Sequence, residues 1–208
     1  MLANPVVFID PDGKDVLIAF KNQETGKKDV FNYVPGTVLP KGASKFLSQT
    51  VKALDDIVSR QSSLDKGLRD VMNIVENKNE IVNIKESKKS DFNGKSNNQI
   101  RFNTTLAVQV ENLINGQFVL GDIFSPSEVL EHEFGHAANK IKNPKKFKED
   151  RESGGKREIV DGKTVVIFVD AEEQQNVEKI DNRNDKFRNT EIGVPKVVDD
   201  VLSTTPVN

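Results

Sequence analysis

Cysteine is absent from the 208 residues of the chain, and histidine occurs only twice. The absence of cysteine excludes disulfide bonds and thiolate metal ligands, and it leaves the redox compartment open. A metal site in this chain would therefore have to use histidine, aspartate, glutamate or water as ligands.

A strong excess of charge and a long apolar run are also missing. The net charge is −2, with 36% hydrophobic and 30% charged residues, so no overall electrostatic attraction draws the chain to nucleic acid or to a membrane surface. No apolar run reaches transmembrane length, and the first residues lack the basic and apolar regions of a signal peptide. We therefore expect one domain, or one with a small annex, and no nucleic-acid partner, membrane segment or signal peptide in this chain.

Both histidines fall in one short stretch, residues 131–137, with the sequence E-H-E-F-G-H-A. This contains the H-E-x-x-H pattern of zinc hydrolases. On a helix, His132 and His136 point off one face and can share a metal ion. Glu133 lies about 100° round from His132, where it can reach a water and act as general base. The alternative is a pair of ordinary core or surface histidines.

Local signals predict a helix around this motif. Residues 125–128, S-P-S-E, form a capping box with proline at the first helical position. Leu130, Phe134, Ala137 and Ile141 make an apolar stripe that predicts burial. Gly135 indicates either a close helix packing contact or room for the metal site.

The third ligand should be a carboxylate, because catalytic zinc usually has three protein ligands and a water. A final helix is predicted from Ala171 to Arg188, capped by Asp170. Glu173 shares the apolar stripe of Val177, Ile180 and Phe187. Glu172 shares a stripe with Asn176 and Lys179, which suits solvent. We expect Glu173 to be the ligand, with Glu172 in reserve; alternatively, Glu173 is only the third residue of a capping box, or Asn176 supports a ligand at Glu172 from one turn further on.

The rest of the chain predicts mixed α and β structure. Strands are expected at 15–20, 29–34, 80–85, 100–110, 117–120, 157–160 and 164–169, and two helices between 43 and 76 with a break near 62–65. The dipeptides at 115–116 and 161–162 predict hairpin turns. Residues 88–98 and 140–156 are expected to be polar, solvated segments.

Residues 99–196 resemble the zinc endopeptidase effectors of type III secretion systems, and more broadly the gluzincin branch of zincin metallopeptidases. In those effectors H-E-x-x-H-A precedes a helix with acidic residues and a pattern similar to E-N-x-x-R-x-E-x-G-x-P. Here Asn184–Pro195 reads N-D-K-F-R-N-T-E-I-G-V-P, with an extra residue before Glu191 and Asn-Asp in place of Glu-Asn. The resemblance implies an α+β zincin-like fold with a mixed or antiparallel sheet, peptidase activity and one Zn²⁺ ion. Asn184 and Arg188 are interpreted as structural or supporting residues.

A second resemblance lies at the start of the chain. Asn4–Gly13 is similar to the N-P-x(4)-D-P-x-G element that closes the repeat core of Rhs/YD-repeat proteins, although a plain β-turn explains D-P-x-G as well. It implies a division into the core's end (1–13), an accessory region (14–98) and a zincin-like peptidase (99–208). It also implies a toxin, secreted or delivered to a target cell within a larger protein, and a cognate immunity protein.

The sequence thus predicts an endopeptidase in which His132, His136 and Glu173 hold zinc and Glu133 is the base, with a protein as substrate. Tyr33 and Arg188 are candidate oxyanion donors, although Tyr33 also suits a half-buried strand position. The substrate is expected as an extended strand along a sheet edge near 102–110. The first rival is a non-catalytic binding or structural module with a degenerate motif. The second is a hydrolase of another polymer such as nucleic acid, which the lack of a basic, aromatic-rich surface disfavours.

Overall fold

The computed structural model describes residues 15–76, 80–95, 98–114, 117–160, 163–166, 168–183 and 196–198. Within these ranges the chain is α+β, as predicted. The helices are α1 (Lys45–Gln61), α2 (Asp70–Glu76), α3 (Pro126–Lys142), α4 (Pro144–Glu152) and α5 (Ala171–Arg183), with a 3₁₀ turn at Lys66–Leu68. The strands are β1 (Asp15–Lys21), β2 (Lys28–Tyr33), β3 (Ile81–Glu86), β4 (Asp91–Asn93), β5 (Gln99–Phe102), β6 (Ala107–Ile114), β7 (Gln117–Phe124), β8 (Arg157–Val160), β9 (Lys163–Val166) and β10 (Lys196–Val198).

The main sheet is mixed and has the strand order β2-β1-β3-β5-β4. β1 pairs with β2 antiparallel and with β3 parallel. β5 pairs parallel with β3 and antiparallel with β4. Side chains alternate along these strands, so that Val16, Ile18, Val82 and Ile84 are all fully buried on one face.

The core lies between that face and the helices. Leu47, Leu54 and Ile57 of α1 belong to the same buried cluster as Leu130 and Phe134 of α3. An apolar stripe on each helix accounts for this, since each must bury its stripe against another layer. The core and the main sheet therefore join residues on both sides of position 98, where the sequence suggested a boundary.

Two smaller sheets complete the described structure. One has the order β10-β6-β7, and the other is the hairpin β8-β9. β6 and β7 pair up to Ile114 and Gln117, so the first predicted hairpin is confirmed, while its turn at 115–116 lies outside the described residues. The second hairpin is confirmed by the pairing of Val160 with Lys163.

Lys145, Lys146 and Lys148 are exposed as predicted, although the segment 140–156 also contains α4, which the sequence does not predict. Three expectations about the chain are wrong. The predicted loop 88–98 contains β4, and the predicted strand 100–110 is interrupted at 103–106. The stretch 102–110 is not a sheet edge, because β5 is paired on both sides and so is β6. Physically, β4 is too short to show an alternating pattern, and α4 buries no residue that would give it a helical period.

Among the described residues, every helix is too short or too polar to cross a bilayer.

Candidate metal centre

The predicted cap of α3 is confirmed. The Ser125 side chain accepts from the Glu128 backbone N–H, and the Glu128 carboxylate accepts from the Ser125 backbone N–H at 2.8 Å. Pro126 occupies the first helical position, where its missing N–H costs no hydrogen bond. The helix therefore begins at a fixed residue, and that sets the rotation of the two histidines six and ten residues further on.

The two histidine rings converge with one carboxylate. The Nε2 atoms of His132 and His136 lie 3.1 Å apart. Glu173 Oε1 is 3.2 Å from His132 Nε2, and Glu173 Oε2 is 3.2 Å from His136 Nε2. The ligand atoms of the three residues all lie within 4.8 Å of one another. The chain thus brings together two imidazole nitrogens and a carboxylate, which could hold a metal ion.

The donor set fits a divalent cation with an open position. Two neutral imidazoles and one carboxylate are the protein ligands of one class of catalytic zinc site. His136 is buried, whereas the side chains of His132 and Glu173 are 24% and 25% exposed. The exposed side of the group leaves solvent access to the same point at which the ligand atoms meet.

The pKa values of the group are set by burial, which disfavours charge, and by close hydrogen-bond partners, which favour it. Burial acts to lower the pKa of His136, but its hydrogen bonds to Glu172 and Glu173 outweigh this and raise that pKa to about 10. Burial acts to raise the pKa of Glu173, but hydrogen bonds to His132 and His136 hold it far below its usual range. Glu173 is therefore already anionic at neutral pH, whereas a metal ion bound here would displace a proton from His136.

Glu133 lies between the histidines in sequence and is 7% exposed. Burial raises the pKa of its carboxyl, and the charges of His136 and His132 oppose that rise. Glu133 is not a member of the converging ligand group found among the described residues. Glu133 is therefore a buried carboxyl that interacts with the charges of both histidines but does not belong to the ligand group.

The expectation that Glu172 faces solvent is wrong. Glu172 is 1% exposed and Asn176 is fully buried. Glu172 Oε2 lies 2.6 Å from His136 Nδ1, on the opposite side of the ring from Glu173. The Asn139 side-chain amide donates to Glu172 Oε1 at 2.9 Å. Both neighbouring glutamates thus contact the same imidazole, because each of them takes a different nitrogen.

Asn176 explains Gly135. The Asn176 amide donates to the backbone oxygen of His132 at 2.9 Å and lies 3.4 Å from His132 Nδ1. A Cβ at position 135 would lie 1.8 Å from Asn176 Oδ1. Of the two interpretations of this glycine, the close helix contact is therefore the one favoured by the geometry. Asp170 also caps α5 as predicted, since its Oδ1 accepts from the Glu173 N–H at 2.8 Å.

Several residues around the site were not anticipated. Phe92 of β4 lies beside His136, with ring centroids 6.3 Å apart and planes 19° apart, and Phe147 of α4 packs edge-on against Phe92. The sequence did carry one signal for α4, because Asn143 caps it and Pro144 opens it. Phe92 carried none, since its partners are distant in sequence.

Glu131, the residue before His132, is buried and joins α3 to α1. Its carboxylate accepts from Arg60 Nη2 at 2.8 Å and from Gln61 Nε2 at 2.5 Å. Gln61 Oε1 in turn accepts from the backbone N–H groups of Val71 and Met72. This network fixes α3 against α1 and α2 at the level of the site.

Tyr33 and Arg188 are the two candidate oxyanion donors, and the structure describes only Tyr33. Tyr33 does not serve, because it is buried in β2, at the opposite edge of the main sheet from β4, and its hydroxyl donates to Asp55 at 2.7 Å. Arg188 and the rest of the 184–195 pattern lie outside the described residues.

No family model, no curated protein and no solved structure matches this chain. Function can therefore be inferred only from the site itself.

Proposed function

We propose that the chain is a zinc-dependent endopeptidase with a zincin-like fold. The observation that carries the proposal is the convergence of His132, His136 and Glu173 on one point, with their ligand atoms within 4.8 Å. Two histidines from an H-E-x-x-H helix and a glutamate from a later helix are what this class of hydrolase uses.

His132, His136 and Glu173 would hold the ion. When bound, zinc would supply Lewis acidity, polarising a carbonyl and easing the deprotonation of water. Glu133 then accepts a proton from the attacking water, whose oxygen adds to the scissile carbonyl carbon. As the C–N bond breaks, Glu133 returns that proton to the leaving amine.

The substrate is proposed to bind as an extended strand along β4. β4 is the last strand of the main sheet on the side of the site, and its Phe92 packs against His136. An edge strand offers backbone groups to a peptide laid beside it. This replaces the edge at 102–110, where the strands are paired on both sides.

The biological setting is proposed from sequence resemblance alone. Asn4–Gly13 and the 184–195 pattern support a toxin domain at the end of an Rhs-type protein, secreted or delivered to a target cell, with protein substrates and an immunity protein. Both segments lie outside the described residues.

The test is metal analysis followed by cleavage mapping. Purified protein should contain about one zinc per chain, and the double variant His132→Ala, His136→Ala should contain none. Full occupancy in the double variant would overturn the site. Incubation with a library of proteome-derived peptides, read by mass spectrometry, should show new termini.

Glu133→Ala is the matched control for chemistry. It removes the proton acceptor without removing a ligand, so zinc content should remain and cleavage should cease. A zinc-loaded wild type that cleaves no peptide would favour the non-catalytic module. A Glu133→Ala variant as active as wild type would refute the assigned base.

A further inference from the structure

Arg151, on α4, contacts two of the three acidic residues at the start of α5, the capping residue Asp170 and Glu172. Its Nη1 lies 3.4 Å from Glu172 Oε2, and its Nε lies 3.6 Å from Asp170 Oδ2. Its guanidinium also lies over the Phe147 ring, 5.8 Å from the centroid. A planar guanidinium can hold two carboxylates at once, so one side chain spans the first turn of α5.

Glu172 carries this contact into the site. Its carboxylate is buried, and the same Oε2 that faces Arg151 lies 2.6 Å from His136 Nδ1. A buried carboxylate is stable only if its oxygens are partnered. When Glu172 accepts from Nδ1–H, a proton of His136 is held on that nitrogen, and Nε2 is the nitrogen left to bind the metal ion proposed above.

We propose that Arg151 is a positioning residue of the metal centre, acting through Glu172 on His136. The inference rests on the metal binding proposed above. Arg151 contacts the same Glu172 oxygen that lies against the imidazole, and the orientation of the ring then depends on a residue of a different helix.

A purely structural role for Arg151 can be separated from this one. α4 also contacts α5 through the Gln175 side chain, which donates to Asp150 at 3.1 Å, and its Phe147 packs on Phe92. Neither contact involves Arg151, so we expect both to persist when Arg151 is replaced. Docking of α4 should therefore survive, while the hold on Glu172 is lost.

The experiment compares Arg151→Met with Lys148→Met in the full chain. Lys148 lies on the same helix, is exposed and pairs only loosely with Glu152 at 3.8 Å, so its variant makes the same charge change away from the site. The zinc dissociation constant is measured by competition with a chromophoric chelator. We expect Arg151→Met to bind about tenfold more weakly, as removal of a ligand-orienting partner typically does, and Lys148→Met to match wild type.

Two further measurements test whether Arg151 affects zinc binding through Glu172. Urea unfolding in excess chelator should give equal stabilities for the two variants; a large loss confined to Arg151→Met would mean a structural role. In a Glu172→Gln background Arg151→Met should have little further effect on zinc affinity, whereas in an Asp170→Asn background it should keep its full effect. The reverse pattern would overturn the proposed route.

Zinc binding by the wild-type chain and by the two variants distinguishes failure of this inference from failure of the proposed function. A wild-type chain that binds no zinc refutes the metal centre and this inference with it. A wild type that binds zinc, with Arg151→Met indistinguishable from Lys148→Met, refutes only the role of Arg151.

Discussion

Gly135→Ala tests how closely α5 packs against α3, the helix that carries both histidines. In an ordinary helix this change is stabilising by about 1 kcal/mol, because glycine is the poorer helix former. Here the new Cβ would lie 1.8 Å from Oδ1, 2.7 Å from Cγ and 3.0 Å from Nδ2 of Asn176. The Asn176 side chain is fully buried, so it has to be displaced within a packed interior.

The cost of that displacement exceeds the gain in helix propensity. Overpacking a core typically costs about 1–3 kcal/mol, and loss of the Asn176 hydrogen bond to the His132 backbone oxygen costs about 1 kcal/mol more. Gly135→Ala should therefore lower the free energy of unfolding by about 1–3 kcal/mol, in net terms. At a solvent-facing helical glycine the same substitution would raise the free energy of unfolding, so the sign of the change distinguishes Gly135 from such a residue.

The cause is isolated by a double-mutant cycle with Asn176→Ala. The three nearest atoms to the new Cβ belong to the Asn176 amide, so in the Asn176→Ala background Gly135→Ala should become neutral or stabilising, by up to about 1 kcal/mol. The coupling energy should then be roughly 2 kcal/mol, within the range known for residues in contact.

Urea unfolding followed by circular dichroism, with chelator present throughout, gives the four free energies without a contribution from bound metal. Gly67→Ala is the control, because a Cβ there meets no atom within 4 Å, and its effect should stay within about 0.5 kcal/mol. If Gly135→Ala is as stable as wild type, Asn176 moves at no cost and the packing argument is refuted.

Three more substitutions test the proposed ligand Glu173 and two ion pairs elsewhere in the structure. Glu173→Gln should weaken zinc binding by more than about tenfold, because a neutral amide replaces the carboxylate that faces both Nε2 atoms; unchanged affinity in the chelator assay would contradict its role as ligand. Burial acts to raise the pKa of Asp91, but its contacts with Arg101 and a lysine lower that pKa below its ordinary 3.8. The pair therefore stabilises the fold above that value and loses its effect as the pH falls through the lowered pKa, so Asp91→Asn should be less stable than wild type at pH 7, with the gap closing towards pH 2; a gap independent of pH would disprove the linkage. Lys179→Met removes the cation that pairs with the buried carboxylate of Asp70 and should cost about 1–2 kcal/mol in urea unfolding, whereas equal stability would show that the pair contributes nothing.

The parts of the fold that sequence alone predicts are those with local signals. The start of α3 is an example, because Ser125, Pro126 and Glu128 satisfy or remove the orphan donors of the first turn without help from the rest of the chain. β1 and β2 are predicted for a similar reason, since each is a short run rich in β-branched and aromatic residues and a glycine-containing turn stretch separates them. In both cases the deciding interactions lie within a few residues of one another.

The missed elements have no such local cause. β4 comprises three residues, and its position is set by pairing with β5 and by the packing of Phe92 between His136 and Phe147. Likewise, α4 has a proline and a cap but buries no residue, so its sequence has no hydrophobic periodicity that would predict a helix. Only the folded arrangement, in which Arg151 reaches α5, shows why a polar helix lies there.

The rotation of α5 shows most clearly where polarity patterns mislead. The expectation that Glu172, Asn176 and Lys179 face solvent assumed that a polar stripe lies outside, which holds when its groups have no partners inside. Here each has one: Glu172 contacts His136, Asn176 contacts His132 and Lys179 contacts Asp70. Because this stripe faces polar groups of α3, namely the His136 ring and the His132 backbone oxygen, the stripe is itself polar, and Glu173 reaches both histidines from beside it. A helix that pairs with an H-E-x-x-H helix is therefore better oriented by asking which of its polar side chains can reach the two histidines than by asking which of its sides is apolar.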